Sequence, residues 1–151
     1  MWFAGISRFT GTLMDRMMLT PAMDEELTVD RGIPDRSDTI RLLHQSLGSW
    51  FDEAYFRWKY DDYPDFTEDD VFYIVDGDEL VGFRRVFEKE LIVRGSPLEI
   101  CVFGDTCVAA SHRGRGLYSR LLEETNAVCL ANGADFGCTF NRKGTVTFGK
   151  K

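Results

Sequence analysis

The sequence has no excess of basic residues and no long apolar run. It contains 18 Lys and Arg against 25 Asp and Glu, which gives a formal net charge of −7 at pH 7. Because a nucleic-acid backbone is bound through surplus Lys and Arg, this balance argues against a nucleic-acid partner. No segment approaches the roughly 20 consecutive apolar residues of a membrane-spanning helix, so we expect a cytoplasmic protein without a membrane partner.

The sequence also lacks the cysteine pairs of a zinc motif. Its four cysteines are Cys101, Cys107, Cys129 and Cys138, and none of them forms a C-x₂-C pair. Each lies in an apolar context, where a free cysteine behaves as a small hydrophobic residue. The sequence therefore predicts no metal site and four buried, reduced thiols.

The N-terminal segment differs in composition from the rest of the chain. Residues 1–22 are rich in apolar side chains, but Arg8, Asp15 and Arg16 interrupt them, and the basic start of a secretory signal is missing. We expect these residues to form a peripheral extension. Residues 23–151 are long enough for one domain with its own core.

The remaining pattern predicts a mixed sheet flanked by helices. Two β-rich runs around Asp76-Gly77 are typical of a hairpin, and a strand, an amphipathic helix and a further strand then form a βαβ unit. The fold class is α/β, or α+β layered, with a mostly antiparallel sheet. The predicted strands cover 27–33, 71–75, 80–93, 98–110 and 134–140, and the predicted helices cover 38–50, 52–60 and 117–132.

A glycine- and arginine-rich turn, Arg113-Gly114-Arg115-Gly116, stands where a predicted strand gives way to a helix. The glycines allow positive φ and a close approach of ligand to backbone. The first N–H groups of the following helix have no partner within the helix and attract anions. No G-x-x-x-x-G-K-[ST] or G-x-G-x-x-G string occurs, so neither a Walker loop nor a dinucleotide fold is indicated.

This turn resembles the acetyl-CoA-binding motif of the GNAT superfamily of N-acetyltransferases, [Q/R]-x-x-G-x-[G/A]. Arg113 matches its first position and Gly116 its fourth, whereas Tyr118 departs from the last. The resemblance extends over roughly residues 27–151 in element order. It includes 140–144, FNRKG, where Asn141 matches an Asn that often meets the cofactor.

The resemblance implies acetyl-CoA as co-substrate. Backbone N–H groups from Gly114 to Ser119 would hold the pyrophosphate, with help from Arg113 and Arg115. The edge of the preceding strand would pair with the pantetheine arm, which requires strand 134–140 to separate from strand 98–110. The implied cofactor contacts are Thr106, Cys107, Val108, Arg113, Gly114, Arg115, Gly116, Leu117, Tyr118, Ser119 and Asn141.

The catalytic base is the least determined part of the prediction. Val102 occupies a position where the superfamily often has a base, and Glu99 and Asp105 are the nearby carboxylates. Asp105 is the predicted catalytic residue, with a structural role beside Gly104 at a bulge as the alternative. His112 is either a base or a turn cap. Cys107 would be a nucleophile only in a ping-pong scheme. The N–H of Val108 is the predicted donor to the thioester carbonyl.

The resemblance implies transfer of an acetyl group to a primary amine of a small molecule or peptide. The acidic segment 61–70 would favour a cationic amine. Superfamily members continue into two more strands, so the chain is expected to lack the last strands of the fold. It would then leave a strand edge uncovered, which allows a homodimer. The alternative is a catalytically inactive module that binds CoA or a partner protein.

Overall fold

The computed structural model describes residues 27–64 and 66–139. Residues 1–26, Asp65 and 140–151 lie outside the described part, and with them the predicted extension and Asn141. The strands are β1 (Asp30–Arg31), β2 (Val71–Asp76), β3 (Glu79–Val93), β4 (Ser96–Val108) and β5 (Phe136–Thr139). The α-helices are α1 (Arg36–Leu47), α2 (Glu53–Phe56) and α3 (Leu117–Ala131), and a π-helix spans Arg57–Asp61.

The five strands form one sheet in the order β1-β2-β3-β4-β5. The first four pair antiparallel, and β5 pairs parallel to β4. The parallel pair is connected through α3, as a βαβ unit requires. The predicted mixed, mostly antiparallel sheet with flanking helices is confirmed.

Two elements differ from the prediction. The first strand is confined to Asp30–Arg31, because Gly32 has φ 125° and Leu27 and Val29 pack against the core beneath α3. The predicted helix over 52–60 is instead a short α-helix, capped by the Asp52 side chain, that continues as a π-helix. Such wider turns are frequent at functional sites.

Apolar side chains form one core on each face of the sheet. The face under α3 contains Phe72, Ile74, Val81, Val86, Cys101, Phe103, Val108, Leu117, Leu121 and Cys129. The opposite face, under α1 and α2, contains Leu42, Leu43, Phe51, Phe56, Tyr60, Val71, Leu80, Phe83 and Cys107. No helix in the described ranges is long and apolar enough to cross a membrane.

The four thiols are free, but they are not all buried. Cys101, Cys107 and Cys129 are buried as predicted, whereas Cys138 is exposed. The sequence around Cys138 is mainly apolar. All residues of β5 are nevertheless exposed, and Cys138 lies at the surface of the sheet. The prediction of a buried thiol was wrong at that position.

We expect Leu121→Ala to lower the free energy of unfolding by about 2–5 kcal/mol, because it leaves a cavity in the core under α3. Leu121 is fully buried, whereas Leu130 on the same helix is 71% exposed. Leu130→Ala is therefore the matched control and should change stability by less than about 0.5 kcal/mol. Chemical denaturation measures both; equal losses would contradict this packing.

Candidate active site

One edge of β4 is open over its C-terminal half. On that side, β5 pairs only with Ile100–Phe103, and no other described strand adjoins the following residues. The N–H of Ala109 donates to the carbonyl oxygen of Val81 on β3 at 2.8 Å. Because alternate residues direct their backbone groups to opposite sides, the N–H and C=O of Val108 face the open edge.

The turn after β4 leads directly into α3. Gly114 and Gly116 have φ values of 80° and 78°, and a Cβ at either would find no atom within 4 Å. The cost of substitution there therefore comes from the backbone conformation and not from crowding. Gly116 is the N-cap of α3 and has no side chain to cap the first turn. The first N–H groups of α3 are thus directed to a ligand or to water.

These two features enclose a cavity of about 610 Å³. The predicted contacts in the lining are Thr106, Cys107, Val108, Arg113, Gly114, Gly116, Leu117, Tyr118 and Ser119. Ser46 and Leu47 at the end of α1 complete one wall, and the sequence reasoning missed them. Arg113 lies with Nε 3.3 Å from the carbonyl oxygen of Val108, at the junction of the strand edge and the turn.

A network of polar side chains connects the glycine turn to Asp76 at the end of β2. Nε2 of His112 lies 3.0 Å from Oδ2 of Asp76, and Oγ of Ser111 lies 2.8 Å from Nδ1 of the same ring. The hydrogen bond with His112 is the main cause of the lowered pKa of Asp76, and Arg115, at 3.4 Å, adds to it. Arg115 therefore lies against Asp76 and outside the cavity lining; its predicted contact with the cofactor stays a prediction.

Asp105 lies at a bulge in β4. The β3–β4 register passes from Phe83↔Cys107 to Arg85↔Gly104, so Asp105 and Thr106 together face Arg84. This is the two-against-one count of a β-bulge, and such bulges re-aim side chains next to active sites. Asp105 has φ 49°, a conformation that non-glycine residues rarely adopt.

The Asp105 carboxylate is held by two consecutive residues of the π-helix. Nζ of Lys59 lies 2.7 Å from Oδ1, and the hydroxyl of Tyr60 donates to Oδ2 at 2.6 Å. The carboxylate side chain is only 5% exposed and that of Lys59 is 17% exposed. Burial, followed by the charge of Asp105, raises the pKa of Tyr60 well above its usual value of 10.0. Tyr60 therefore remains a neutral donor.

Cys107 and His112, two other candidate catalytic residues, lie in surroundings that favour structural roles. Burial raises the pKa of Cys107 to about 12, so its thiol is protonated at neutral pH and is a poor nucleophile. His112 is 9% exposed and its ring contacts Asp76 and Ser111, which corresponds to the turn-cap alternative.

Three carboxylates of the acidic segment predicted to attract a cationic amine have partners within the domain. Asp61 pairs with Arg36 at 2.8 Å, and Arg31 contacts Asp69. Asp70 accepts a hydrogen bond from the N–H of Thr67 at 2.9 Å in a capping box. These contacts favour a local structural role for the segment.

The described residues thus form an open mixed sheet with a strand edge that leads into a glycine turn and a helix N-terminus. Residues 35–146 match the family described as acetyltransferase (GNAT) domain, which is well over half of the chain. The chain belongs to this family, whose members are transferases that use an acyl-CoA donor.

Solved structures show the same fold at low sequence identity. Glucosamine-6-phosphate N-acetyltransferase from Arabidopsis thaliana has a TM-score of 0.57 and 18% identity, over 78% of this chain and 84% of that one. An aminoglycoside acetyltransferase from an uncultured soil metagenomic sample has a TM-score of 0.58 and 20% identity, over 79% and 82%.

A larger enzyme shares the fold as well. N-myristoyltransferase from Saccharomyces cerevisiae, with myristoyl-CoA bound, has a TM-score of 0.57 and 18% identity, over 72% of this chain and 29% of that one. At such identities, these likenesses establish the fold alone. No curated protein sequence matches the chain.

We expect Tyr60→Phe to destabilise the domain by about 1–3 kcal/mol, because the buried Asp105 carboxylate loses a donor. The pKa of Tyr60 is raised in the folded state. The protonated hydroxyl therefore contributes fully to the free energy of unfolding below about pH 10, and this contribution is lost as pH rises through the folded pKa. The parent should therefore lose stability above about pH 10 more steeply than Tyr60→Phe does.

Denaturation at neutral and alkaline pH measures this difference. Tyr73→Phe, at a partly buried tyrosine on β2, is the matched control and should retain the alkaline loss of the parent. A Tyr60→Phe protein with parental stability at both pH values would contradict the role assigned to its hydroxyl.

Proposed function

We propose that this chain transfers an acetyl group from acetyl-CoA to a primary amine of a small molecule or peptide. The observation that carries the proposal is the continuity of the cavity, which runs from the open edge of β4 to the N-terminus of α3. An elongated ligand with a peptide-like arm and a pyrophosphate requires those two features side by side.

The turn supplies a seat for the pyrophosphate. The N–H groups of the first turn of α3 carry the positive end of the helix dipole, and Gly116 leaves them uncapped. Arg113 lines the same cavity and adds a positive charge. Local positive groups such as these are needed to bind an anion, because the net charge of the chain is −7 and repels anions at long range.

The strand edge supplies contacts for the pantetheine arm and the thioester. Amide groups of the arm would pair with the backbone of Thr106 and Val108 as an added strand. The N–H of Val108 faces this edge and is suited to polarise the thioester carbonyl as negative charge develops on its oxygen.

In the reaction, the neutral amine nitrogen attacks the thioester carbonyl carbon. The C–N bond forms, the C–S bond breaks, the amine loses a proton and the CoA sulfur leaves as thiolate to be protonated. Asp105 is the proposed acceptor of the amine proton. A carboxylate offers about four acceptor positions, of which Lys59 and Tyr60 occupy two.

One observation favours the alternative of a module that binds CoA without catalysis. The Asp105 side chain is 5% exposed, and both of its oxygens already accept hydrogen bonds. An acceptor amine would therefore have to approach a carboxylate that is almost fully buried. If Asp105 has a purely structural role, the cofactor site is unaffected, but the chain has no catalytic base at this position.

Calorimetric titration with acetyl-CoA tests the cofactor site. We expect saturable binding that Arg113→Ala weakens by about 10- to 150-fold, since an ionic hydrogen bond contributes about 1.5–3 kcal/mol. Gly116→Trp should abolish binding, because the residue needs φ 78° and the new side chain would enter the cavity. Arg41→Ala, at an exposed arginine of α1, is the control and should bind as the parent does.

Thioester consumption with a panel of primary amines distinguishes the enzyme from the binding module. If Asp105 is the base, Asp105→Asn should retain acetyl-CoA binding and reduce turnover by about 10²–10⁴-fold. Because this change also leaves Lys59 unpaired, the double variant Asp105→Asn with Lys59→Met serves as the folding control. Unchanged turnover in a folded Asp105 variant would exclude it as the base, and cofactor binding with no turnover by the parent would favour the module.

A further inference from the structure

Arg84 is a buried arginine on the face of the sheet under α3. The residue is 4% exposed, and its guanidinium carbon lies 4.1 Å from the centre of the Phe103 ring. Nη1 donates to the hydroxyl oxygen of Thr106 at 3.0 Å. Nε is buried and has no hydrogen-bond partner among the described residues.

The positive charge of Arg84 has no counter-charge in this environment. None of the ion pairs between the described residues includes Arg84, and an arginine remains protonated in proteins. Burial accordingly lowers the pKa of Arg84, although the Phe103 ring and the hydroxyls of Thr106 and Tyr118 offset part of the cost. A buried ionic group without an opposite charge is unfavourable, so an anion beside it would be strongly attracted.

Arg84 lines a cavity of about 400 Å³ between α3 and β5. The walls are mainly apolar, with Phe103, Leu122, Cys129 and Phe136 among the lining residues. Asn126, which is exposed on α3, also belongs to the lining. Apolar side chains therefore form the larger part of the wall, and Arg84 is its one cationic group.

This cavity is distinct from the one at the start of α3, since the two linings share only Tyr118. Its one acidic lining residue, Asp135, is held elsewhere. Oδ2 of Asp135 accepts the N–H of Glu99 at 3.0 Å, and the Asp135 N–H donates to the Glu99 carbonyl oxygen at 2.7 Å. Asp135 is thereby fixed at the start of β5 and does not neutralise Arg84.

We propose that the cavity between α3 and β5 binds a small carboxylate with an apolar body, whose carboxylate pairs with Arg84. The planar guanidinium matches a carboxylate, and the apolar walls take the remainder of the ligand. The site lies on the opposite face of the sheet from Asp105. It does not depend on the proposed acetyl transfer.

Titration of the nitrogen-labelled chain with hexanoate tests the proposal, with the Nε–H resonance of Arg84 as the readout. We expect a saturable shift at millimolar hexanoate. Neutral hexanamide should bind at least about tenfold more weakly, because it cannot supply the charge-assisted pair. Inorganic phosphate, which lacks an apolar body, should also bind more weakly.

Variants locate the bound carboxylate. Arg84→Met should fold, because it replaces an uncompensated buried charge by an apolar side chain of similar length, and it should lose hexanoate binding. Asn126→Trp, at an exposed position of the lining, should weaken binding while Arg84 stays in place. Arg113→Ala should bind hexanoate as the parent does.

Any of four results would contradict the proposal. The first is an Arg84 resonance that hexanoate does not shift, and the second is equal affinity for hexanoate and hexanamide. The third is binding that Arg113→Ala removes and that Asn126→Trp leaves unchanged, which would assign the anion to the turn before α3. Phosphate binding as tight as that of hexanoate would refute the requirement for an apolar body.

Discussion

The bulge in β4 at Asp105 is the constraint on which the rest of the site depends. It places two residues opposite Arg84 and requires φ 49° at Asp105, a conformation that costs of order 1 kcal/mol or more for a non-glycine residue. The contacts from Lys59 and Tyr60 to the carboxylate offset that cost and attach the π-helix to the sheet. Beyond the bulge, β4 continues for three residues with a free edge, and these residues line the cavity that ends at α3.

The strand edge and the helix N-terminus act together because a single short connection joins them. Val108 ends β4 and Leu117 begins α3, and the intervening turn is fixed through Asp76 at the end of β2. Asp76 contacts both His112 and Arg115, so one carboxylate orients both ends of the turn. A ligand that touches the Val108 backbone and the first N–H groups of α3 therefore meets groups whose separation the fold has already set, which lowers the entropic cost of binding.

Local patterns in the sequence predicted the element order and the glycine turn, and the family resemblance implied most of the residues that line the cavity. Periodicity and glycine placement are properties of adjacent residues, so Gly114, Gly116 and the apolar stripe of α3 could be read directly. The partners of Asp105 could not, because Lys59 and Tyr60 lie 46 and 45 positions away and no pattern links them. The burial of Arg84 was equally hidden, since arginine is almost always exposed unless it is paired.

The two consecutive arginines of β3 show how differently the two faces of the sheet accommodate a buried charge. Arg85 points beneath the α1–α2 layer, where Tyr60, Tyr63, Phe66 and Phe87 surround its guanidinium at 4.0–4.7 Å and the Lys59 carbonyl oxygen accepts from Nη1. Each ring contributes up to about 2 kcal/mol in a desolvated setting, so that cation is enclosed by the protein itself. Arg84 has one ring, that of Phe103, and the hydroxyls of Thr106 and Tyr118, and it lies in the wall of a cavity. Because both residues come from the same strand and have the same charge, the difference lies in what surrounds them. Four rings surround Arg85, whereas Arg84 borders a cavity under α3.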